Sequence, residues 1–212
     1  MVRFENVTRE FKNGKGIHGC SFEAEENEVT GIIGPNGSGK TTIFRIIAGL
    51  QRYDSGKVAL DGISAEEYPL GNIGYMPEER TVRKAVSVYE MVLLVGRLKG
   101  IRRDNAPKAA DDAIEKAGLE RVKYERMTEL SKGNANLAMY ACAIVHEPKI
   151  LILDEPFSGL DAENREKMMK LIREGRTGRT TIVSVHEQYR IPELCDKVFK
   201  IREGKIEEVY RP

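Results

Sequence analysis

The stretch Gly34-Pro35-Asn36-Gly37-Ser38-Gly39-Lys40-Thr41-Thr42 constrains this chain more than any other. It fits the pattern GxxxxGK[ST]. An apolar run, Val29-Thr30-Gly31-Ile32-Ile33, leads into it, and Ile43, Phe44, Ile46 and Ile47 follow at helical spacing. A strand that runs through a glycine-rich turn into a helix predicts an α/β fold. The glycines let successive backbone N–H groups turn inward around phosphate oxygens, with no Cβ in the way. A helix starting at the end of the loop adds the positive end of its dipole at the same place. In that arrangement Lys40 reaches the β- and γ-phosphates of a nucleotide and the Thr41 hydroxyl holds Mg²⁺.

A second segment supplies the other half of such a site. Ile150-Leu151-Ile152-Leu153-Asp154-Glu155 is an apolar strand ending in two carboxylates. The strand delivers Asp154 to the metal side of the phosphates, where its charge holds Mg²⁺ through water. Glu155 sits one residue further on, placed to orient and deprotonate an attacking water. Alone, the segment reads equally well as a core strand closed by a solvated Asp-Glu-Pro turn; the loop at 34–42 favours the site. His186 follows the short strand Thr181-Ile182-Val183-Ser184-Val185. Beside these motifs it is placed to hydrogen-bond a γ-phosphate and keep water and Glu155 aligned. His18 and His146 have no such context and read as surface or packing residues.

The remaining chain frames these pieces. Val2, Phe4 and Val7 begin a strand, Asn13-Gly14 marks a hairpin turn, and residues 19–24 form a second strand. Residues 57–60 read as an antiparallel excursion and 72–76 as a short strand stopped by Pro77. From 86 to 140 the periodicity is helical, with Val88, Met91, Val92, Val95 and Leu98, then Ala109, Ala113, Ile114 and Ala117. Strands return at Ile150–Leu153 and Thr180–Val185, with a helix at 163–173 between them. A terminal hairpin pairs 198–201 with 206–209. The predicted architecture is one α/β domain with an N-terminal antiparallel β part and an inserted helical sub-domain. Its core covers approximately 1–79 and 148–212, and the insertion approximately 80–147.

Charge and cysteine usage narrow the class. Lys+Arg at 34 against Asp+Glu at 33 gives a formal charge of +1, which argues against a nucleic-acid partner. The three cysteines form no CxxC pair, so neither a disulfide framework nor a zinc knuckle is expected, and a reducing cytosol fits. The charged first residues lack a signal peptide's apolar stretch, and no run approaches the roughly 18 apolar residues of a membrane span. The chain is therefore expected to be soluble by itself. Arg97, Lys99, Arg102, Arg103 and Lys108 read as a solvated face, with anionic lipid headgroups as the alternative.

Leu130-Ser131-Lys132-Gly133-Asn134 stands at the start of a predicted helix. Here the chain resembles the ATP-binding cassette (ABC) ATPases, whose signature reads LSGGQ. Glu155-Pro156-Phe157-Ser158-Gly159-Leu160-Asp161 is similar to that family's Walker B exit and D-loop. The order of phosphate loop, Tyr75-Met76-Pro77, signature, Walker B, D-loop and His also matches, so the similarity covers essentially the whole chain. The resemblance implies a P-loop NTPase (RecA-like) core that uses ATP and Mg²⁺. It implies two cassettes, identical or different, facing head to tail, with ATP between the phosphate loop of one and the signature helix of the other. The Ser131 hydroxyl and the Gly133 N–H would then donate to the partner's γ-phosphate. Phe11 falls where the family places a ring that stacks on adenine; packing of the first sheet is the alternative.

Some positions depart from the pattern. Glu78 stands where the family has glutamine; its oxygen still reaches Mg²⁺ but adds negative charge beside phosphates. Lys132 replaces the first inner glycine of the signature and Asn134 its final glutamine, while Ala135, Leu137 and Cys142 replace polar or basic residues. The segments Pro77–Arg80 and 130–134 look most like ATPases of sodium- and drug-efflux exporters. The resemblance implies an ATP-hydrolysing subunit that dimerises on ATP and powers transport through a separate integral membrane subunit, from the inner face of the cell membrane. The groove around Glu78 to Met91 is the expected contact, with Val86, Val88, Tyr89 and Met91 either forming an apolar patch or packing in the core. Two alternatives are a soluble ABC ATPase of DNA repair or translation, and a weakly hydrolysing regulatory module.

Overall fold

The chain opens on an alternating strand, and that alternation builds the first of two sheets. The computed structural model describes residues 1–12, 14–78, 86–185 and 191–212. β1 (Val2–Glu10) and β2 (Gly16–Ala24) pair antiparallel, with Val2, Phe4 and Val7 turned into the core. Asn13 of the expected turn lies outside the described residues, whereas Gly14 donates to the Phe11 carbonyl. β2 begins at Gly16, earlier than expected. Two pairing irregularities against β1 break the two-residue period that would have marked its start. β3 (Val29–Ile33) is buried along its whole length and runs into α1 (Lys40–Ile47). The expected antiparallel excursion is β4 (Ser55–Leu60), which pairs with β1. β5 (Ile63–Ser64), without a sequence signal of its own, extends that edge to give the order β2-β1-β4-β5.

β6 (Ile73–Met76) leads to three helices, α2 (Val88–Leu98), α3 (Ala106–Ala117) and α4 (Lys132–Ile144). The chain then runs through β7 (Ile150–Leu153), α5 (Ala162–Glu174), β8 (Thr180–Val185), a short α6 (Ile191–Leu194), β9 (Lys197–Arg202) and β10 (Lys205–Tyr210). The second sheet has the order β10-β9-β3-β8-β7-β6, parallel except for β10. Its strands are apolar on both faces because both faces are covered. Ile32, Ile150, Ile152, Ile182 and Phe199 face α1 and the first sheet. Their neighbours Ile33, Leu151, Leu153, Val183 and Val198 face the helices.

Two helices bear on the site. Ser87 and Glu90 form a capping box that starts α2. Val88 packs in the core, while Val86, Tyr89 and Met91 are only partly covered. α4 is built of small residues and is buried almost throughout, so close to β6 that a Cβ at Gly74 would strike the Ala143 carbonyl oxygen. Lys99 departs from the solvated face expected for its basic neighbours. Its Nζ donates to the carbonyls of Leu70 and Ile73 at 2.9 and 2.7 Å, whereas Arg97, Arg102, Arg103 and Lys108 are exposed.

Candidate functional site

In a parallel sheet, ligands collect where the strands end. The C-terminal ends of β3 and β7 are adjacent to β8, and they bring the loop at 34–39 beside Asp154 and Glu155. Gly39 caps α1 at φ 114 with no side-chain hydrogen bond, so the first-turn N–H groups are left for a ligand. A Cβ at Gly39 would approach Ile17 Cγ2 to 2.7 Å, and Gly37 has φ 79. Both positions therefore need glycine, one for space and conformation and the other for conformation alone. Ser38 is buried, and its Oγ has no hydrogen-bond partner among the described residues.

The charged groups meet in one place. Lys40 and Glu155 are both buried, with Nζ 3.8 Å from Glu155 Oε1. Lys40 Nζ also donates to the Gly34 carbonyl at 2.7 Å and the Pro35 carbonyl at 3.3 Å. The Thr41 hydroxyl donates to Asp154 Oδ2 at 2.9 Å, and the Ser184 hydroxyl donates to Asp154 Oδ1 at 3.0 Å. The Ser184 oxygen in turn accepts from the Glu155 N–H. Burial raises the Asp154 pKa above its ordinary value. The Thr41 and Ser184 bonds oppose this, and the charge of Glu78 adds to it. Tyr75 is pushed up to about 12, chiefly by burial and then by the Asp154 charge.

A cleft of about 400 Å³ opens over these groups. Phe11, Asn36, Gly37, Lys40, Thr41, Thr42, Glu78 and Glu155 are among the residues that line it, and Asp154 lines the neighbouring cleft that shares Thr41 and Glu78. The Arg9 guanidinium lies over the Phe11 ring, 5.1 Å from its centroid. Gly34 and Pro35 do not line it, but their carbonyls accept from Lys40. Helix-end N–H groups, the unpartnered Ser38 hydroxyl and an ammonium together suit a phosphate chain. A hydroxyl and carboxylates are hard oxygen donors, which suits Mg²⁺. No group of three or more His, Cys, Asp or Glu placed to hold a metal occurs among the described residues.

The other expected residues lie elsewhere. Ser131 is exposed at the start of α4, accepting from the Asn134 N–H at 3.2 Å, and Gly133 is buried against Asn164. Neither lines the cleft. His186 falls outside the described residues. Ser184 escaped the sequence reading: β8 carries three buried hydroxyls, Thr180, Thr181 and Ser184, and nothing in the sequence separates the one that meets Asp154 from the two without a hydrogen-bond partner among the described residues.

Known proteins share this arrangement. The ABC transporter family profile matches residues 17–158. Over 205 residues the chain is 37% identical to an uncharacterized ABC transporter ATP-binding protein of Methanocaldococcus jannaschii, covering 96% of this chain and 75% of that relative. It is 32% identical to the lipopolysaccharide export system ATP-binding protein LptB of Haemophilus influenzae, over 97% of this chain and 88% of LptB. The dimeric structure of MJ0796, a bacterial ABC transporter cassette, superposes with a TM-score of 0.88 at 25% identity, covering 100% of this chain and 98% of that one. The post-hydrolysis dimer of MJ0796 with ADP and Pi gives 0.87. The chain belongs to the ABC transporter family, among its ATP-binding, ATP-hydrolysing subunits.

Proposed function

We propose that this cassette binds ATP over the phosphate loop, closes on a second cassette and passes the movement to a separate membrane subunit. Lys40 leaves the Gly34 and Pro35 carbonyls to contact the β- and γ-phosphates. Thr41 and Asp154, with Glu78 at the side, would hold Mg²⁺, which neutralises phosphate charge when bound. Glu155 takes a proton from the water that adds to the γ-phosphorus, and the bond to the ADP oxygen breaks. His186 aligns that water, Phe11 stacks on adenine, and Ser131 with the Gly133 N–H completes the facing subunit's pocket. Residues 80–147 act as the helical sub-domain that carries this signature.

One observation supports the reading above the rest: Lys40, Thr41 and Glu155 line a single cleft, and Asp154, 2.9 Å from the Thr41 hydroxyl, lines the neighbouring one that shares Thr41 and Glu78. Dimerisation is supported by the dimeric MJ0796 structures. A membrane partner is supported by relatives named for export and import systems. Among the described residues no helix is long and apolar enough to cross a membrane. Residues 79–85 of the expected contact lie outside the described residues; at its two ends Val86, Tyr89 and Met91 are partly covered, and the exposed Leu50 shares a cleft with Glu78. The cassette would then sit peripherally on the inner face of the membrane. The test compares Lys40→Ala with Glu155→Gln. The first should lose MgATP affinity, and the second should keep it while turnover falls by about 10²–10⁴-fold, the range of general-base catalysis. Unchanged affinity in the first variant, or unchanged turnover in the second, refutes these roles.

A further inference from the structure

The helix that opens at the signature also holds the loop that follows Glu155. Asn136 on α4 is only 2% exposed, and its Nδ2 donates to the carbonyls of Pro156 and Ser158, both at 3.2 Å. An amide nitrogen carries two hydrogens, so one side chain serves two main-chain acceptors of a single short loop. Lys132, one helical turn earlier on the same face, lies over that loop as well: a Cβ at Gly159 would strike its Nζ.

The loop starts from an uncommon backbone conformation, which Glu147 before Pro148 also adopts. Glu155 has φ 52, a left-handed conformation disfavoured for a residue with a Cβ, and it precedes a proline, which narrows its choices further. The turn continues with the Ser158 N–H on the Glu155 carbonyl at 3.1 Å and the Leu160 N–H on the Phe157 carbonyl at 3.2 Å. On the strand side Ser184 accepts from the Glu155 N–H. The backbone of Glu155 is thus held from β8 ahead of it and from α4 behind it.

We infer that Asn136 is a positioning residue for ATP hydrolysis, fixing the backbone after Glu155 so that the carboxylate stays in the cleft. The inference rests on the water-activating role proposed for Glu155. Asn136 does not line the cleft, so it acts through that neighbour. Chemistry limits the substitutes. Aspartate turns an oxygen towards two carbonyl oxygens, alanine offers no donor, and glutamine keeps the amide on a longer stem.

The test measures kcat, KM and ATP affinity for the purified chain and for Asn136→Ala, Asn136→Gln, Asn136→Ser, Glu155→Gln and the Asn136→Ala/Glu155→Gln pair, at temperatures where circular dichroism shows each folded. Asn136→Ala should lower kcat by about 100-fold, the scale of a 1 Å misplacement, with KM and affinity within about twofold. Glutamine should restore most of the rate, and serine, with one donor, should fall between. The pair should be no slower than Glu155→Gln alone, because both changes act on one group. An unchanged kcat in folded Asn136→Ala, or in Asn136→Ser should alanine not fold, overturns the inference. So does an equal loss from glutamine and alanine, or a further loss in the pair. If Asn136→Ala is fully active while Glu155→Gln is dead, only this inference falls. If Glu155→Gln turns over normally, the proposed role and the inference fall together.

Discussion

Replacing His146 with glutamine should flatten the acid side of the stability curve. The ring follows α4, and Nε2 lies 3.1 Å from the Ile73 carbonyl oxygen, so the neutral ring donates from Nε2. Nδ1 is buried with no hydrogen-bond partner among the described residues. A proton there places a charge where nothing accepts it. Burial is the main cause that lowers the His146 pKa from 6.5 to about 4; the Ile73 bond opposes it, and the charges of Lys99 and Arg179 add to it. The unfolded chain therefore binds a proton below its own pKa while the folded ring stays neutral. Stability is full above that unfolded value and falls as the pH drops through the window towards the folded one. Between about pH 7.5 and about pH 4.5 the unscreened effect is roughly 2.5 kcal/mol, at about 1.4 kcal/mol per pKa unit. Solvent screening of a partly exposed ring reduces this to about 2 kcal/mol. Glutamine keeps an N–H for Ile73 and has no proton to gain. Urea unfolding at the two pH values should show the wild type losing about 2 kcal/mol more than His146→Gln, with equal m-values. Parallel losses in the two proteins would refute the reasoning.

Phe11→Ala should raise the Kd for MgATP by roughly 5- to 150-fold, equivalent to about 1–3 kcal/mol of base stacking, as measured by titration calorimetry. An unchanged Kd would leave Phe11 as a packing residue of the first sheet. Ser184→Ala removes a donor from the Asp154 carboxylate and an acceptor from the Glu155 N–H, and should cost about 1.5–3 kcal/mol of unfolding free energy in urea titrations. Ser87→Ala breaks the capping box of α2, worth about 1 kcal/mol, and should lower Tm by roughly 2–4 °C.

The parts of the site that were legible in the sequence are those whose requirements are local. The phosphate loop needs glycines that accept left-handed backbone and a lysine at a fixed offset, and all of these lie within a few residues. The runs that became β3, β7 and β8 needed only to be apolar, since both sheet faces are covered. What was not legible depends on partners distant in sequence. Lys99 reads as one more surface cation until β6 and the turn before it present two carbonyls to its Nζ. Val88 reads equally as part of an apolar patch or of the core, because its spacing alone does not fix how its helix is rotated, and the structure buries it. The division of the ten described strands between two sheets follows from returns of the chain that no short window contains.

Glu147, before Pro148, shares with Glu155 a backbone that local rules disfavour, at φ 50, but Glu155 is the one that lines the cleft. A glutamate before a proline prefers extended backbone, yet this one has φ 52. A conformation of this kind costs on the order of 1–3 kcal/mol and persists only where its surroundings over-determine it. Each neutral hydrogen bond to the loop contributes about 1 kcal/mol, so Ser184 alone does not comfortably outweigh that cost, and neither does Asn136 alone. Acting together from β8 and α4 they do. Glu155 is therefore held by two elements far apart in the chain, and loosening either leaves the conformation close to balance. Hydrolysis should accordingly respond to movement of α4 relative to the sheet more steeply than nucleotide binding does, because Lys40 and Thr41 rest on β3 and α1 and have no bond to α4 among those described.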